Sequence, residues 1–158
     1  MSIKIYNDNG TNSIKQIKEI EESLNYKLPK LFKELMMKHD ALRLDNDVFD
    51  FINYYEEEDE RDINFSSFKK ECKNSFILDE QINVNDVSNN GIIDLIVFVF
   101  FANGDYVCFD YRHNPMTDNS KVVLVYHDDF VDYEDCNSHM VINHVADSFE
   151  EFMEMLHE

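Results

Sequence analysis

Apolar residues at Ile14, Ile17, Ile20 and Leu24 recur at helical spacing with lysines and glutamates between them. Ser13 followed by Gln16 has the form of a capping box, so the pattern predicts an amphipathic helix starting there. Leu28-Pro29 ends it and opens a second helix, because proline is tolerated at the first helical position. Phe32, Leu35 and Met36 make that helix's apolar stripe, and Lys38-His39 suit its carboxyl end. Val48 to Ile52 is a candidate strand. The stretch Asn53 to Asp62, NYYEEEDERD, is too charged to be buried and is expected to be a loop or a solvated helical edge. From Ile63 to Val87 the periodicity is weak, and the best fit is a short helix over Ser67 to Asn74 and a strand over Phe76 to Leu78.

After residue 91 the pattern sharpens. Leu95 to Ala102, LIVFVFFA, is expected to be a strand covered on both faces, since an exposed edge of this composition is an aggregation hazard. Asn103-Gly104 suits a two-residue hairpin turn, and Asp105 to Arg112 returns as the second strand. Val122 to Tyr126 and Met140 to Ile142 are further candidates. Ser148 and Glu151 form another capping box, followed by the apolar face Phe149, Phe152, Met153 and Leu156 of a closing helix. Helices at both ends of hairpin-linked strands imply an α+β fold: a largely antiparallel sheet with two amino-terminal helices and a carboxyl-terminal helix packed on it, in one domain over residues 1–158.

Charge changes the picture most. The formal net charge is −19, from 33 acidic residues against 14 Lys and Arg, while 13 Phe and 8 Tyr argue against an unstructured acidic tail. Residues 1–40 are close to balance, so the excess belongs to the rest of the chain. Such a field attracts cationic molecules and disfavours nucleic acid, which demands Lys and Arg against its phosphates. With only three glycines, neither a dinucleotide-binding Gly-x-Gly-x-x-Gly turn nor a P-loop can be written. Cys72, Cys108 and Cys136 are odd in number and widely spaced, which fits reduced thiols, with Cys108 in the core. The first residues hold no apolar block, and the longest apolar run is far short of the ~20 residues of a membrane span. These features predict a cytoplasmic protein with no membrane association.

Several constellations resemble chemical sites and fall short of them. Asp45, Asp47 and Glu56 occupy calcium-loop positions, but Asp50 stands where the loop needs glycine. His139 and His144, five apart, point to opposite faces of a strand and cannot share one ion. His127 beside Asp128 and Asp129 is more suggestive, yet it reads best as a surface histidine, and no metal or cofactor is expected. Glu134 and Asp135 disfavour a thiolate at Cys136, and Asp110 with Arg112, two apart on a strand, form a structural ion pair. No catalytic residue is expected. Two acidic clusters remain, Glu56, Glu57, Glu58, Asp59 and Glu60 with Asp62, and Asp128, Asp129, Asp132, Glu134 and Asp135. Tyr54, Tyr55, Phe130 and Tyr133 are interleaved with them, and aromatic anchors among steering carboxylates are what a surface for a basic protein partner requires.

Four segments in order resemble the SUKH superfamily: Ile17, Ile20-Glu21-Glu22, Leu24, Tyr26, Leu28-Pro29 and Phe32; Phe101-Ala102-Asn103-Gly104-Asp105-Tyr106 leading into Phe109-Asp110-Tyr111-Arg112; Val122-Val123 with Tyr126-His127-Asp128; and Val145 to Phe152. The chain departs from the family's pattern in having one glycine at the hairpin and no tryptophan in the later strand, where Tyr126 stands. The superfamily is best known for bacterial toxin-immunity proteins and also contains a fungal cell-wall regulator. The resemblance implies a non-enzymatic protein that binds and blocks a toxin domain, here a basic one such as a nuclease. The alternative it leaves open is a cytoplasmic regulatory or scaffold module of the same fold.

Overall fold

The computed structural model describes residues 3–132 and 138–158. In chain order its elements are β1 (Ile5–Asn7), α1 (Ile14–Leu24), α2 (Lys30–Lys38), β2 (Arg43–Leu44), β3 (Val48–Ile52), β4 (Glu58–Asp62), α3 (Ile77–Val84), β5 (Leu95–Phe100), β6 (Tyr106–Asp110), β7 (Lys121–Asp132), β8 (Ser138–Ala146) and α4 (Phe149–Met155). The fold is α+β. A four-stranded antiparallel meander, β5-β6-β7-β8, is accompanied by two antiparallel pairs, β1-β2 and β3-β4.

The caps act where the sequence places them. Ser13 Oγ accepts a hydrogen bond from the Gln16 N–H at 3.1 Å, and α1 ends on Asn25 in the left-handed region at φ 64°. Ser148 Oγ likewise accepts from the Glu151 N–H at 3.1 Å. Pro29 sits at the cap of α2 rather than its first position, and its carbonyl accepts from the Lys33 N–H.

One sheet face carries Ile96, Phe98, Val107, Phe109, Val122 and Leu124 against the apolar sides of α1, α2 and α4. Phe32 of α2 lies at the centre of this core, edge-on to Phe68, Phe98, Phe109 and Phe149 at 5.1–5.7 Å. The opposite face, with Leu95, Val97, Cys108, Val123 and Val125, is covered by Val84 of α3 and by Ile92. Leu95–Val99 is therefore buried throughout, as an uninterrupted apolar strand requires.

The structure corrects the sequence reading in five places. Glu58–Asp62 is a strand, paired with β3 from Val48↔Asp62 to Ile52↔Glu58, instead of a loop or helical edge. Residues 67–74 form turns instead of a helix, and Phe76–Leu78 is the start of α3 instead of a strand. Asp79 and Glu80 in the first turn of α3 favour the helix through its dipole. The β5–β6 hairpin turns on three residues, Ala102-Asn103-Gly104: the Gly104 N–H donates to the Phe101 carbonyl at 2.9 Å, the Phe101 N–H donates to the Asp105 carbonyl at 3.1 Å, and Gly104 alone takes positive φ, at 94°. Finally, β7 and β8 run well past the apolar segments that announced them, because β7's second half alternates in exposure without alternating in hydrophobicity.

Candidate protein-binding face

The β3–β4 hairpin turns in the same way as β5–β6. The Glu56 N–H donates to the Asn53 carbonyl at 3.0 Å, the Asn53 N–H donates to the Glu57 carbonyl at 2.8 Å, and Glu56 occupies the left-handed position at φ 64° that Gly104 fills in the other hairpin. Asn53 Oδ1 accepts from the Tyr55 and Glu57 N–H groups at 2.9 and 3.0 Å. The Tyr54 N–H donates to Asn143 Oδ1 at 2.7 Å, and the buried Asn143 amide donates to the Leu124 carbonyl at 2.9 Å, which ties the tip to the meander. Tyr54 and Tyr55 pack edge to face at 5.3 Å and remain about half exposed, at 49% and 47%. Two large aromatics thus stand on a fixed tip.

A break in the β7–β8 ladder brings the second acidic cluster to this tip. Tyr126 pairs with Val141 and Phe130 with Met140, so His127, Asp128 and Asp129 have no partners on β8 and bulge outward. Tyr55 donates its hydroxyl hydrogen to Asp129 Oδ2 at 2.6 Å, and Tyr126 donates to Asp59 Oδ2 at 2.7 Å. Asp129 is thereby held at the tip beside Glu56 and Glu57, and Asp59 is held to β7, through bonds that span 74 and 67 residues of sequence.

Arg61 holds the junction together. Its Nη1 donates to Asp59 Oδ1 at 2.6 Å and its Nη2 to Asp105 Oδ2 at 3.5 Å, while its guanidinium carbon lies 5.8 Å from the Tyr126 ring centre and 6.0 Å from that of Phe51. Burial pushes the Asp59 carboxyl up, but hydrogen bonds from Tyr126 and Arg61 and the Arg61 charge bring it below the usual carboxylate range. Tyr126, desolvated and donating to Asp59, is pushed up to about 12 and keeps its proton at physiological pH.

Asp105 anchors the bulge. Its Oδ1 accepts from the His127 backbone N–H at 3.0 Å and lies 2.8 Å from His127 Nδ1, which donates when protonated, and Asn103 donates to Oδ2 at 3.2 Å. Ligand-type atoms of Asp105, His127 and Asp128 do lie within 4.8 Å of one another. With these donors already on Asp105 and the Arg61 cation beside it, the trio fits a structural anchor better than a metal centre. The His127 ring also covers Gly104, where an added Cβ would sit 3.0 Å from Cδ2 and Nε2. Gly104→Ala is therefore expected to destabilise the protein by about 1.5 kcal/mol, measured by urea unfolding, from strain at positive φ plus displacement of this ring.

The outer side of the β3–β4 pair is unusual in charge. Asp50 faces Glu60 across the strands, and Ile52, 57% exposed, faces Glu58. Like charges directly opposite oppose pairing, and the basic group beside Asp50 is His157, with Nε2 at 3.1 Å. Asp50, Ile52, Glu58 and Glu60 line a shallow concavity of about 570 Å³.

Among the sequence-derived candidates, Tyr54, Tyr55, Glu56 and Glu57 form the hairpin tip with Asp129 bonded to it, Asp59 lies on the inner side of β4, Glu58 and Glu60 lie on its outer side, and Asp128 stands in the bulge beside Asp105 and His127. Phe130, 47% exposed, and Asp132 lie beyond the bulge on the β7–β8 ribbon. Tyr133, Glu134 and Asp135 fall outside the described residues, as does Cys136. Arg61, Asp105, Tyr126, Asn143, Asp50 and Ile52 were not among the binding residues expected from the sequence. Only the alternation of Asp59 and Arg61 within EDERD hinted at a strand with a charged inner side.

Residues 11–155 match the SMI1 / KNR4 family (SUKH-1), so the chain belongs to that family. The family resemblance expected from the sequence is thereby established. No curated protein matches the chain. Among the described residues, no helix is long and apolar enough to cross a membrane.

Proposed function

We propose that this chain is an immunity protein: it binds a basic bacterial toxin domain in a stoichiometric complex and blocks it by covering its substrate surface. The observation that supports this best is the bond from Tyr55 to Asp129, which sets a carboxylate of the second acidic cluster beside the first at a tip carrying two half-exposed tyrosines. A cleft built to hold phosphate is basic, and this face is its complement in charge. The tyrosines supply the desolvated centre, and the carboxylates chiefly set association rate and partner choice. The reading requires no chemistry of the chain itself. It is tested by mixing the chain with the product of a neighbouring toxin gene: inhibition complete at one equivalent supports it. Absence of a complex with such a toxin would favour the regulatory reading that the family also accommodates.

Glu56 adds a second check. A glutamate in the left-handed region costs about 1 kcal/mol relative to glycine, so Glu56→Gly is expected to stabilise the fold by that amount in urea unfolding. The same change removes a charge from the tip and is expected to slow association with the toxin in stopped-flow mixing. Keeping a strained carboxylate there is costly unless the charge is used.

A further inference from the structure

Basic residues are scarce after residue 40, yet Arg112, His113, Lys121 and His144 line one notch of about 260 Å³, with Tyr54 at its rim. The one carboxylate among its described lining residues, Asp110, is already taken. Arg112 Nε donates to Asp110 Oδ1 and Nη2 to Oδ2, both at 2.9 Å, and the Arg112 N–H adds a third bond at 3.0 Å. Burial raises the Asp110 carboxyl, but these bonds and the charges of Arg112 and His113 outweigh it and leave Asp110 below its ordinary value, so it stays ionised and matched to Arg112.

Lys121 is the unmatched group. It stands directly across the strands from Asp110, yet among the described residues no carboxylate lies within 4.0 Å of its Nζ, and the same holds for His113. Among the described residues, the carboxylate within ion-pair distance of His144 is the exposed Asp147, at 3.2 Å. Although the chain carries −19, none of the described acids is set within ion-pair distance of Lys121 or His113.

We infer that this notch receives a carboxylate of the protein partner, an Asp or Glu side chain placed beside Tyr54. The inference rests on the partner-binding reading above, because Tyr54 belongs both to the acidic tip and to the notch wall. Recognition is then two-signed. The acidic face takes the partner's cations, while the notch demands one anion at a fixed offset from them. A uniformly basic protein satisfies the first surface and is repelled at the second, which converts general attraction into selection of one partner.

The test uses the full chain and needs no toxin. Acetyl-glutamate α-amide, with its single side-chain carboxylate, is titrated into labelled protein and followed by ¹H–¹⁵N NMR, with acetyl-glutamine α-amide as the neutral control. The expected result is saturable shifts centred on His113, Lys121 and His144, with affinity on the order of millimolar, weakened roughly fivefold in Lys121→Gln and absent with the control. Shifts spread equally over exposed lysines such as Lys15 and Lys30, or unchanged by Lys121→Gln, would overturn the inference. So would binding of inorganic phosphate with none of the carboxylate. Because no partner is present, failure here leaves the acidic face standing, whereas a toxin that binds without sensing Lys121→Gln rejects the notch alone.

Discussion

Arg61→Met is expected to lower stability by about 3 kcal/mol in urea unfolding at neutral pH, although Arg61 sits in a strand that is charged at every position. The substitution keeps the aliphatic stem that lies along Phe51 and Tyr126 and removes only the cation. Asp59, at 28% side-chain exposure, and Asp105, at 5%, then lose the guanidinium that both carboxylates face. Full burial of an uncompensated charge costs about 3–5 kcal/mol, and the partial exposure of Asp59 keeps the expectation at the low end. The second change Asp105→Asn is expected to recover part of the loss by removing the more deeply buried charge. Equal stability of wild type and Arg61→Met would mean that Arg61 does not hold the hairpin to the meander.

Glu80→Gln is expected to stabilise the protein, and only at higher pH. Glu80 lies in the first turn of α3, largely withdrawn from water, with a hydrogen bond from Ser66 Oγ. Burial raises its carboxyl from 4.5 to about 7, the Ser66 bond opposing and the neighbouring Asp79 charge reinforcing the change. The folded state therefore holds this proton more tightly than the unfolded chain. Stability falls as pH rises from about 4.5 through 7 and levels off above, the reverse of a carboxylate held by an ion pair. The full shift is worth about 3 kcal/mol, and allowing for partial solvation leaves about 2 kcal/mol at pH 8. Glutamine mimics the protonated form, so the variant and wild type should match near pH 4 and diverge up to pH 8. Asp59 and Asp110, both held below their ordinary values, supply the same acid-side loss to both proteins as pH falls below about 4. A constant difference at pH 4 and pH 8 would show that Glu80 does not titrate this way.

The legible part of the fold is the part whose inward positions are apolar. Ile17, Ile20 and Leu24 announce α1, Phe149 and Phe152 announce α4, and the run from Leu95 could be nothing but an interior strand. The β4 strand was hidden because the residues on its inner side are Asp59 and Arg61, which satisfy one another instead of filling the core. α3 was hidden because its first turn is Leu-Asp-Glu around a single fully buried Ile77, and because Phe76 just before it is buried for its own reasons. At the candidate face, the acidic and aromatic residues were visible as composition. Their union was not, since it depends on a three-residue bulge in β7 and on Tyr126, Arg61 and Asp105, which contact the clusters only after the chain has folded. The turn residues misled in a smaller way: Asn103-Gly104 suggested two positive-φ positions, whereas the hairpin uses only the glycine.

The central claim, that one joined acidic face selects a basic protein, is most directly tested by stopped-flow association with the toxin of the neighbouring gene at several salt concentrations. Wild type is compared with the triple variant Glu58→Gln, Glu60→Gln, Asp129→Asn. The expected result is a wild-type rate that falls steeply with salt, and a variant that is slower by about 10-fold or more at low salt with a shallower slope. Identical rates and slopes for the two proteins would contradict it.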